Sequence, residues 1–449
     1  MTANRPTPIV AIVGRPNVGM SSLFNRIVGQ RRAIVDATPG VTRDPVYAQT
    51  DWNGRELVCV DTGGIAEGGI ELADEVREQA LAAMAGADAV LLVVDASAGL
   101  HPLDRDVAEL LRRAGKPLVL VANKVDNPGR EQVAAEFYRL GLGEPMPVSA
   151  VHGLGIGDLL DRVLSLLPKP EEAKPEGREE GAIARVAVVG RPNVGKSSLI
   201  NRLVGEKRCL VSELPGTTRD TVDVVLHRER KRYLLVDTAG IRRPGRLAAG
   251  LERYTVLRSL RAIDRAEVAV LVIDASLGVV HQDQRLASYI QEAGRALIVA
   301  LNKWDLVPGE EAQKTRQQAV AALSFVAHAP IWVVSARTGR GVEALLQQID
   351  RVVENYRRRA SDSALARVLE DATSRVPPPE RLRLGPIRQV AVGPPAIIIE
   401  VRDPARVPGS YRRYVEARLR EAFPWEGVPL RLLWRERRKG VSTRGGTGI

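Results

Sequence analysis

The residues with the clearest chemical purpose form one short loop, Gly190–Ser197, which reads G-R-P-N-V-G-K-S. It fits the pattern G-x-x-x-x-G-K-[ST], in which backbone N–H groups of a glycine-rich turn cradle phosphates. Lys196 would place a positive charge on the outer phosphates, and Ser197 would coordinate Mg²⁺. The alternative is a glycine-rich turn without a ligand, against which the other motifs below argue. The predicted phosphate site consists of Gly190, Arg191, Pro192, Asn193, Val194, Gly195, Lys196 and Ser197.

Two further motifs in the same half of the chain can supply metal ligands. D-T-A-G at Asp237–Gly240 follows a predicted strand, where an acid can hold Mg²⁺ through water and the Gly240 N–H can meet a γ-phosphate. G-T-T-R-D at Gly216–Asp220 is a polar loop whose threonine hydroxyl can complete the Mg²⁺ shell. Thr218 is favoured over Thr217, and an ordinary turn is the alternative. The predicted residues are Thr218, Asp237, Thr238, Ala239, Gly240 and the adjoining Ile241.

Two motifs predict which nucleotide base the site binds, N-K-W-D at Asn302–Asp305 and V-S-A at Val334–Ala336. Asp305 can accept hydrogen bonds from N1–H and N2–H₂ of guanine, whereas V-S-A can present a backbone N–H to O6. Adenine lacks the donor pair, so ATP would leave a buried carboxylate unpaired. The motifs therefore predict GTP or GDP with Mg²⁺, and the guanine site consists of Asn302, Lys303, Trp304, Asp305, Ser335 and Ala336.

The whole motif set occurs twice, in the same order. Gly14 precedes Gly190 by 176 residues, and D-T-G-G at Asp61 precedes D-T-A-G at Asp237 by the same interval. Chance does not plausibly place four motifs twice in one order, so we predict an internal repeat. The candidate residues of the first copy are Gly14, Arg15, Pro16, Asn17, Val18, Gly19, Met20, Ser21, Thr42, Asp61, Thr62, Gly63, Gly64, Ile65, Asn123, Lys124, Val125, Asp126, Ser149 and Ala150, among which Ser21, Thr42 and Asp61 are the metal ligands.

The first copy departs from the second at one charged position. Its phosphate loop reads G-R-P-N-V-G-M-S, so Met20 stands where Lys196 stands in the second copy. A neutral thioether cannot replace an ammonium group against a polyphosphate. Losing one preorganised donor typically costs on the order of 10²–10³ in rate, so we expect hydrolysis mainly in the second copy. The first copy either binds guanine nucleotide weakly as a regulatory module, which the intact N-K-V-D favours, or is a structural partner.

The elements that must position these loops are short, continuous apolar runs alternating with helical stretches. Such runs are typical of parallel strands buried on both faces. Right-handed crossovers then give a doubly wound, mostly parallel α/β sheet in each copy. The strand runs are Ile9–Val13, Leu57–Val60, Ala89–Val94, Leu118–Ala122, Val186–Val189, Tyr233–Val236, Val268–Ile273 and Ala296–Leu301.

Length and composition suit three domains, since 449 residues are too many for one hydrophobic core. The stretch Pro168–Gly181 is rich in proline, glutamate and glycine and reads as an exposed linker. We predict a first GTPase domain over 1–168, an acidic linker over 169–181, a second GTPase domain over 182–356, an α+β domain over 357–440 and a flexible tail over 441–449.

Charge and cysteine usage narrow the class of protein. Residues 357–449 contain 20 Lys or Arg and 10 Asp or Glu, a net +10 of the chain's +11. This excess of positive charge favours a nucleic-acid partner over a membrane. The alternative is a basic surface that only aids solubility. Cys59 and Cys209 show no ligand spacing, and we see neither a signal peptide nor an apolar run of membrane-spanning length. We therefore expect a cytoplasmic protein with no membrane partner.

The last domain has its own predicted element order, α-β-β-α-β. Its elements are a helix over 361–374, strands over 387–392 and 396–402, a helix over 410–423 and a strand over 428–435. Two strings stand out in it, G-P-P-A-I-I-I-E-V-R-D-P and P-G-S-Y-R-R-Y-V-E-A-R-L-R-E-A-F.

These strings and the paired G-R-P-N-V-G loops resemble the bacterial double-GTPase family known as Der or EngA, of the Era-like GTPases. The resemblance extends over essentially the whole chain. It implies two tandem P-loop GTPase domains followed by a KH-like domain. It also implies a role in assembly of the large ribosomal subunit, with that subunit or its precursor and rRNA as partners. We expect no DNA partner and a monomer.

The resemblance also bears on how hydrolysis is driven. Many GTPases place a glutamine after D-x-x-G to orient water, but Ile241 and Ile65 stand there in this chain. The family implies a K⁺ ion near the phosphates, held partly by the P-loop asparagine, Asn193 or Asn17. A turn-capping role for that asparagine is the alternative. The residues expected to act in hydrolysis are Lys196, Asn193, Thr218 and Gly240.

RNA binding by the KH-like domain is expected to be unusual, because no G-x-x-G loop lies between its predicted elements. Basic side chains could still meet rRNA phosphates without reading sequence. The alternative is that Arg412 and Arg413 dock against a GTPase domain. The candidate basic residues are Arg412, Arg413, Arg418 and Arg420 in the helix and Arg435, Arg437, Arg438 and Lys439 after it.

Two rival functions remain at the level of sequence. One is an RNA-binding structural protein that keeps GTP as a static ligand, which turnover would contradict. The other is a tRNA-modification GTPase, whose single GTPase domain does not fit the repeat. Membrane trafficking is disfavoured because we see no lipidation signal.

Overall fold

The computed structural model describes residues 7–29, 46–64, 72–167, 184–205, 209–214, 223–228, 231–236, 255–379 and 382–436. The chain forms two compact units. The first comprises Met1–Ala182, Glu213–Asp223 and Asp237–Arg265, and the second comprises Ile183–Ser212, Val224–Val236 and Ala266–Ile449. In the described part of the chain, no helix is long and apolar enough to cross a membrane.

The first repeat folds around a six-stranded sheet with the order β2-β3-β1-β4-β5-β6. The pair β2 and β3 is antiparallel, and the remaining neighbours are parallel. Its strands are β1 (Ile9–Val13), β2 (Val46–Trp52), β3 (Arg55–Asp61), β4 (Ala89–Asp95), β5 (Leu118–Asn123) and β6 (Met146–Pro147). Its helices are α1 (Met20–Val28), α2 (Leu72–Gly86), α3 (Pro102–Ala114) and α4 (Ile156–Leu166), and 3₁₀ turns span Thr62–Gly64 and Pro128–Leu140.

The second repeat has a seven-stranded sheet with the order β13-β12-β11-β7-β10-β9-β8. Its parallel part runs from β13 to β10, and β9 pairs antiparallel with β10. Its strands are β7 (Ala184–Val189), β8 (Cys209–Leu214), β9 (Asp223–Arg228), β10 (Lys231–Val236), β11 (Val268–Asp274), β12 (Ala296–Asn302) and β13 (Ile331–Val333). Its helices are α5 (Lys196–Val204), α6 (Thr255–Arg265), α7 (His281–Glu292), α8 (Ala312–Ala322) and α9 (Val342–Arg357), with 3₁₀ turns at Trp304–Leu306, Gly309–Glu311 and Ser324–Val326.

Both sheets confirm the predicted doubly wound α/β class. Every residue of β1, β4, β11 and β12 is buried, so both faces of these central strands are covered. This is why their sequences are continuous rather than alternating apolar runs. The parallel strands point the same way, so their carboxyl ends lie at one edge, where ligands bind in open α/β sheets.

The C-terminal part has a three-stranded sheet with the order β14-β15-β16. The pair β14 and β15 is antiparallel, and β15 and β16 are parallel. Its elements are α10 (Asp362–Arg375), β14 (Leu384–Ala391), β15 (Ala396–Val401), a 3₁₀ turn (Pro404–Arg406), α11 (Gly409–Ala422) and β16 (Arg431–Glu436). The observed α-β-β-α-β order confirms the prediction.

This small sheet packs against the second repeat within the same unit. Gly427 N donates to His328 O at 2.7 Å, and Leu297 N donates to Gly427 O at 2.8 Å. Gly393 N, in the turn between β14 and β15, donates to the carbonyl oxygen of Tyr356 in α9 at 3.0 Å. Main-chain hydrogen bonds thus join the two parts.

Candidate nucleotide-binding sites

Each predicted phosphate loop joins the carboxyl end of a central strand to the first residue of a helix. Gly14–Gly19 connects β1 to α1, and Gly190–Gly195 connects β7 to α5. The loops begin very close to the next strand. A Cβ on Gly190 would lie 2.4 Å from the carbonyl oxygen of Val272, and the same contact in the first copy would be 2.6 Å. Glycine is required there because any side chain would collide with the sheet.

The loops then turn through two left-handed residues before the helix. Asn17 and Asn193 have φ of 69° and 62°, and the helix-capping Gly19 and Gly195 have φ of 91° and 94°. Asparagine is one of the few non-glycine residues that adopts this conformation readily. Both asparagine side chains are exposed, so they are available to a ligand at the loop.

One buried asparagine ties the phosphate loop to the base-binding segments. Asn302 Nδ2 donates to Val194 O at 2.8 Å, and Asn302 Oδ1 accepts from Ala336 N at 3.0 Å. Asn123 makes the same two bonds in the first copy, at 2.8 and 3.1 Å. The first residue of N-K-x-D therefore connects all three motifs, which sequence spacing alone did not reveal.

The predicted guanine acceptors are held by the serine of V-S-A. Ser335 Oγ donates to Asp305 Oδ1 at 2.5 Å, and Ser149 Oγ donates to Asp126 Oδ1 at 2.6 Å. In the second copy Arg337 Nη2 also lies 2.7 Å from Asp305 Oδ2. The Ser335 hydrogen bond, with help from Arg337, lowers the pKa of Asp305. The carboxylate is thus kept charged, as an acceptor of two guanine N–H groups must be.

The lysine of N-K-x-D forms an ion pair that the sequence analysis missed. Lys303 Nζ lies 2.6 Å from Asp274 Oδ2, and Lys124 Nζ lies 2.6 Å from Asp95 Oδ2. Lys124 Nζ also donates to Asn17 O at 2.7 Å. Burial raises the pKa of both aspartates, but hydrogen bonds from the lysine and from a nearby serine outweigh it, so each pKa is lowered. The string D-A-S, present in both copies, was the available signal.

The two copies differ where the sequence predicts. Lys196 Nζ donates to Gly190 O at 2.9 Å and to Arg191 O at 2.5 Å, so it lies over the loop. Met20 is buried in the hydrophobic core of the first repeat. A Cβ on Gly63 would lie 2.9 Å from Met20 Cε. The thioether therefore occupies the space between the phosphate loop and D-T-G-G.

Oxygen ligands suitable for Mg²⁺ meet in the first copy. Ser21 Oγ donates to Asp61 Oδ2 at 2.7 Å, while Asp61 Oδ1 accepts from Gly63 N at 2.9 Å. A hydroxyl beside a carboxylate fits a hard cation that keeps several waters. Among the described residues, no group of three or more His, Cys, Asp or Glu forms a metal cluster. The hydroxyl of Ser21 and the carboxylate of Asp61 would leave further positions around such a cation to water or to phosphate oxygens.

The remaining predicted residues lie outside the described part of the chain. These are Thr42 and Ile65 of the first copy and Thr218, Asp237, Thr238, Ala239, Gly240 and Ile241 of the second. All other predicted residues of the loops, N-K-x-D and V-S-A are brought to the carboxyl edge of their sheet.

The arginines of α11 are mostly used inside their own domain. Arg412 Nη2 donates to Pro404 O at 2.7 Å and its guanidinium lies 5.8 Å from the Trp434 ring centroid. Arg418 pairs with Asp371 and Glu421, and Arg420 pairs with Glu416. The partners of Arg412 thus lie within its own domain, and these contacts give no support to the alternative that Arg412 docks on a GTPase domain.

Among the four predicted helix arginines, Arg413 is exposed, as is Arg435 after the helix. The predicted Arg437, Arg438 and Lys439 lie outside the described residues. The RNA-facing charge predicted for α11 thus reduces to Arg413, because the other three arginines are paired locally.

Two family models match this chain. One, described as a 50S ribosome-binding GTPase, matches residues 9–124 and 185–303, which are the two repeats. The other, described as the C-terminal KH-domain-like region of EngA bacterial GTPase enzymes, matches residues 359–435.

Curated relatives match over nearly the full length. The GTPase Der of Moorella thermoacetica is 49% identical over 441 residues, covering 97% of this chain and 100% of that protein. The GTPase Der of Desulforudis audaxviator is 48% identical over 437 residues, covering 96% and 99%. A solved structure of Era with MgGDPNP and a 16S ribosomal RNA fragment is 24% identical, covering 57% of this chain and 93% of that one, with a TM-score of 0.30 that is too low to support a conclusion.

Proposed function

Because the chain belongs to the GTPase Der family and is a GTP-hydrolysing enzyme, we propose that it assists assembly of the large ribosomal subunit, with hydrolysis mainly in the second GTPase domain. The observation that carries the nucleotide-binding part of this proposal is the link made by Asn302 between the phosphate loop and the base-binding motifs. Phosphate binding and base binding are thereby parts of one site rather than two separate features.

Guanine selection in this proposal depends on Asp305. Its carboxylate accepts N1–H and N2–H₂ of guanine, while Ser335 holds it in place through the 2.5 Å hydrogen bond. The adenine of ATP offers no such pair of donors to this carboxylate, which is the kind of mismatch that gives strong discrimination. Calorimetry should show tight binding of GDP and no detectable binding of ADP, and Asp305→Asn should remove the preference. Equal affinity for the two nucleotides would contradict the assignment.

The phosphates are met by the loop amides, Lys196 and Ser197. Lys196 already points at the loop and can exchange two carbonyl oxygens for phosphate oxygens. Ser197 is exposed at the start of α5 and can bind Mg²⁺, with Thr218 and Asp237 completing the shell. The metal would neutralise charge that develops on the transferred phosphoryl group. In the first domain the corresponding ligands are Ser21, Thr42 and Asp61.

We also propose K⁺ as the group that replaces the missing glutamine. Asn193 is exposed and held in a left-handed turn of the proposed phosphate loop, where its side-chain oxygen could coordinate a monovalent cation. Such a cation would stabilise developing negative charge. Turnover in KCl should exceed turnover in NaCl at equal ionic strength, and Asn193→Ala should make the two rates equal. Equal rates in the unaltered chain would remove this mechanism.

The first domain is proposed to bind guanine nucleotide weakly and to regulate. Its guanine motif keeps the same hydrogen bonds as the second, so the base site is intact. It lacks the positive charge of a lysine at the phosphates. The alternative of a purely structural domain predicts that disabling the guanine acceptor, by Asp126→Ala, changes neither nucleotide stoichiometry nor turnover.

The ribosomal role is supported by the matching family description, a 50S ribosome-binding GTPase, and by the basic C-terminal domain. The chain is proposed to act as a cytoplasmic monomer whose nucleotide state changes its affinity for the large subunit or its precursor. Exposed Arg413 and Arg435 are candidate contacts with rRNA phosphates.

Co-sedimentation with purified 50S and 30S subunits tests this role. Binding should be specific for 50S and differ between GDP and a non-hydrolysable GTP analogue. Reversing both charges, in Arg413→Glu with Arg435→Glu, should weaken it, whereas Arg113→Glu, a charge reversal at an exposed residue of the first domain, should not. Binding that ignores both subunit and nucleotide would contradict the proposal. A chain that binds 50S but never turns GTP over would instead favour the static-ligand alternative.

A further inference from the structure

An ion pair with a buried aspartate connects each phosphate loop to a helix. The helix is α3, which follows β4, in the first repeat and α7, which follows β11, in the second. Arg191 Nε lies 3.0 Å from Asp283 Oδ1, and Arg15 Nε lies 3.5 Å from Asp104 Oδ1 in the first copy. The aspartate side chains are 0% and 1% exposed, and the arginine side chains are 17% and 16% exposed. The same two residue types are therefore paired in both repeats, with a hydrogen bond from Nε in the second and a longer ionic contact in the first.

The other carboxylate oxygen of each pair holds the start of the helix. Asp283 Oδ2 accepts from Val280 N, and Asp104 Oδ2 accepts from His101 N, both at 3.1 Å. Each aspartate is the third residue of its helix, where its carboxylate accepts from the backbone N–H of the N-cap residue, as the acidic member of a capping box does. One carboxylate thus binds the helix start with one oxygen and the phosphate loop with the other.

The phosphate loop has a conformation that requires such support. Arg191 lies two residues before the left-handed Asn193 and four before the left-handed Gly195. Asparagine and glycine both adopt this conformation readily, but contacts with the surrounding structure are needed to hold the loop in one fixed geometry. A guanidinium anchored to a buried carboxylate fixes the first half of the loop, while Asn302 fixes Val194 in the second half.

We propose that Arg191 and Asp283 are positioning residues that preorganise the phosphate loop of the second site, and that Arg15 and Asp104 do so in the first. Neither residue needs to touch the nucleotide. Their effect is on the loop amides that would meet the β-phosphate, and not on the guanine pocket, which Asn302, Asp305 and Ser335 form. The inference rests on the proposed assignment of Gly190–Ser197 as the phosphate site.

The test compares GDP with GMP, because the two ligands share the base and differ in the phosphate that the loop must cradle. Calorimetry is done on the full chain in an Asp126→Ala background, so that the measured affinity is that of the second site. Arg191→Met and Asp283→Asn should each lower GDP affinity by about tenfold while GMP affinity changes by less than about twofold. The matched control is Arg357→Met, which breaks the pair with Glu267 at the opposite end of β11. This variant should leave the affinities for both GDP and GMP unchanged.

The double variant separates positioning from folding. Arg191→Met with Asp283→Asn leaves no unpaired buried charge, so it should recover thermal stability lost in the single variants. Its GDP to GMP affinity ratio should stay low, since the link between loop and helix is still missing. Equal losses for GDP and GMP, no loss at all, or recovery of the ratio in the double variant would overturn the proposal. Absence of guanine-nucleotide binding in the Asp126→Ala parent would count against the proposed function instead.

Discussion

Exchange of the residue that ends the phosphate loop should move tight nucleotide binding from one repeat to the other. Lys196 Nζ donates to two carbonyl oxygens of its loop, whereas Met20 fills the same place with a buried thioether. Met20→Lys would deliver an ammonium group to the phosphates of the first site. Lys196→Met would withdraw it from the second.

The expected size of the effect follows from these contacts. A hydrogen bond between a charged group and its partner contributes about 1.5–3 kcal/mol net, which corresponds to roughly 10- to 150-fold in affinity. Lysine in the first site would lie beside the same loop carbonyls as Lys196, so its charge has acceptors before nucleotide arrives. Loss of the buried Met20 side chain should cost about 1.5–3 kcal/mol of packing. We therefore expect Met20→Lys to bind GDP more tightly and to be less thermally stable without nucleotide.

Four full-length chains make the assay internally controlled: the unaltered chain, Met20→Lys, Lys196→Met and the double exchange. Calorimetry with GDP should show one tight site in the unaltered chain and two in Met20→Lys. It should show no tight site in Lys196→Met and one in the double exchange. In the double exchange the tight site should depend on Asp126 and no longer on Asp305. An unaltered isotherm for Met20→Lys, or a tight site that survives Lys196→Met, would refute the electrostatic reasoning.

Three further predictions concern residues whose contacts the structure defines. Asn302→Ala leaves Val194 O and Ala336 N without their partner, so GDP affinity should fall more than about tenfold by calorimetry; an unchanged affinity would show that the link is dispensable. Asn123→Ala, the matched change in the first repeat, should leave the tight site unaffected. His328 is desolvated beside Arg420, which lowers its pKa from 6.5 to about 4, so the unfolded chain binds more protons between these values. The contribution of His328 to the free energy of unfolding should therefore be fully present above pH 6.5 and fall by at most about 3 kcal/mol as the pH drops towards 4. In thermal melts, His328→Gln should reduce this loss of stability at low pH. An identical pH profile for the variant and the unaltered chain would contradict the assignment.

Much of the nucleotide site could be predicted from the chain because it is local. The run Ile9–Val13 is bounded in the structure exactly where its apolar residues begin and end, since burial on both faces demands an unbroken run. The loop that follows needs its glycines for close approach to the sheet, which a sequence pattern records directly. The edge strands β2, β6, β8 and β13, and β9 beside β8, were not predicted, because strands near a sheet edge carry mixed residues that give no clear period.

What the sequence could not provide were contacts between distant segments. Asn302 was assigned to guanine recognition, but its side chain holds Val194 and Ala336, which are 108 and 34 positions away. Arg412 was expected at a surface for RNA or for a GTPase domain, yet it binds carbonyl oxygens of its own domain. Composition counts charges but does not show which of them are already paired.

The two repeats together separate the role of loop shape from the role of loop charge. The turn angles at Asn17 and Asn193 differ by only a few degrees, and the bond from the buried asparagine to the loop is 2.8 Å in both copies. The loop therefore keeps its conformation with either methionine or lysine at its end. Because the loop shape is the same, the affinity that the first site gains in Met20→Lys reports the contribution of one ammonium group. If the first site binds as tightly as the second, the amides and the metal ligands must supply nearly all of the phosphate affinity in this fold.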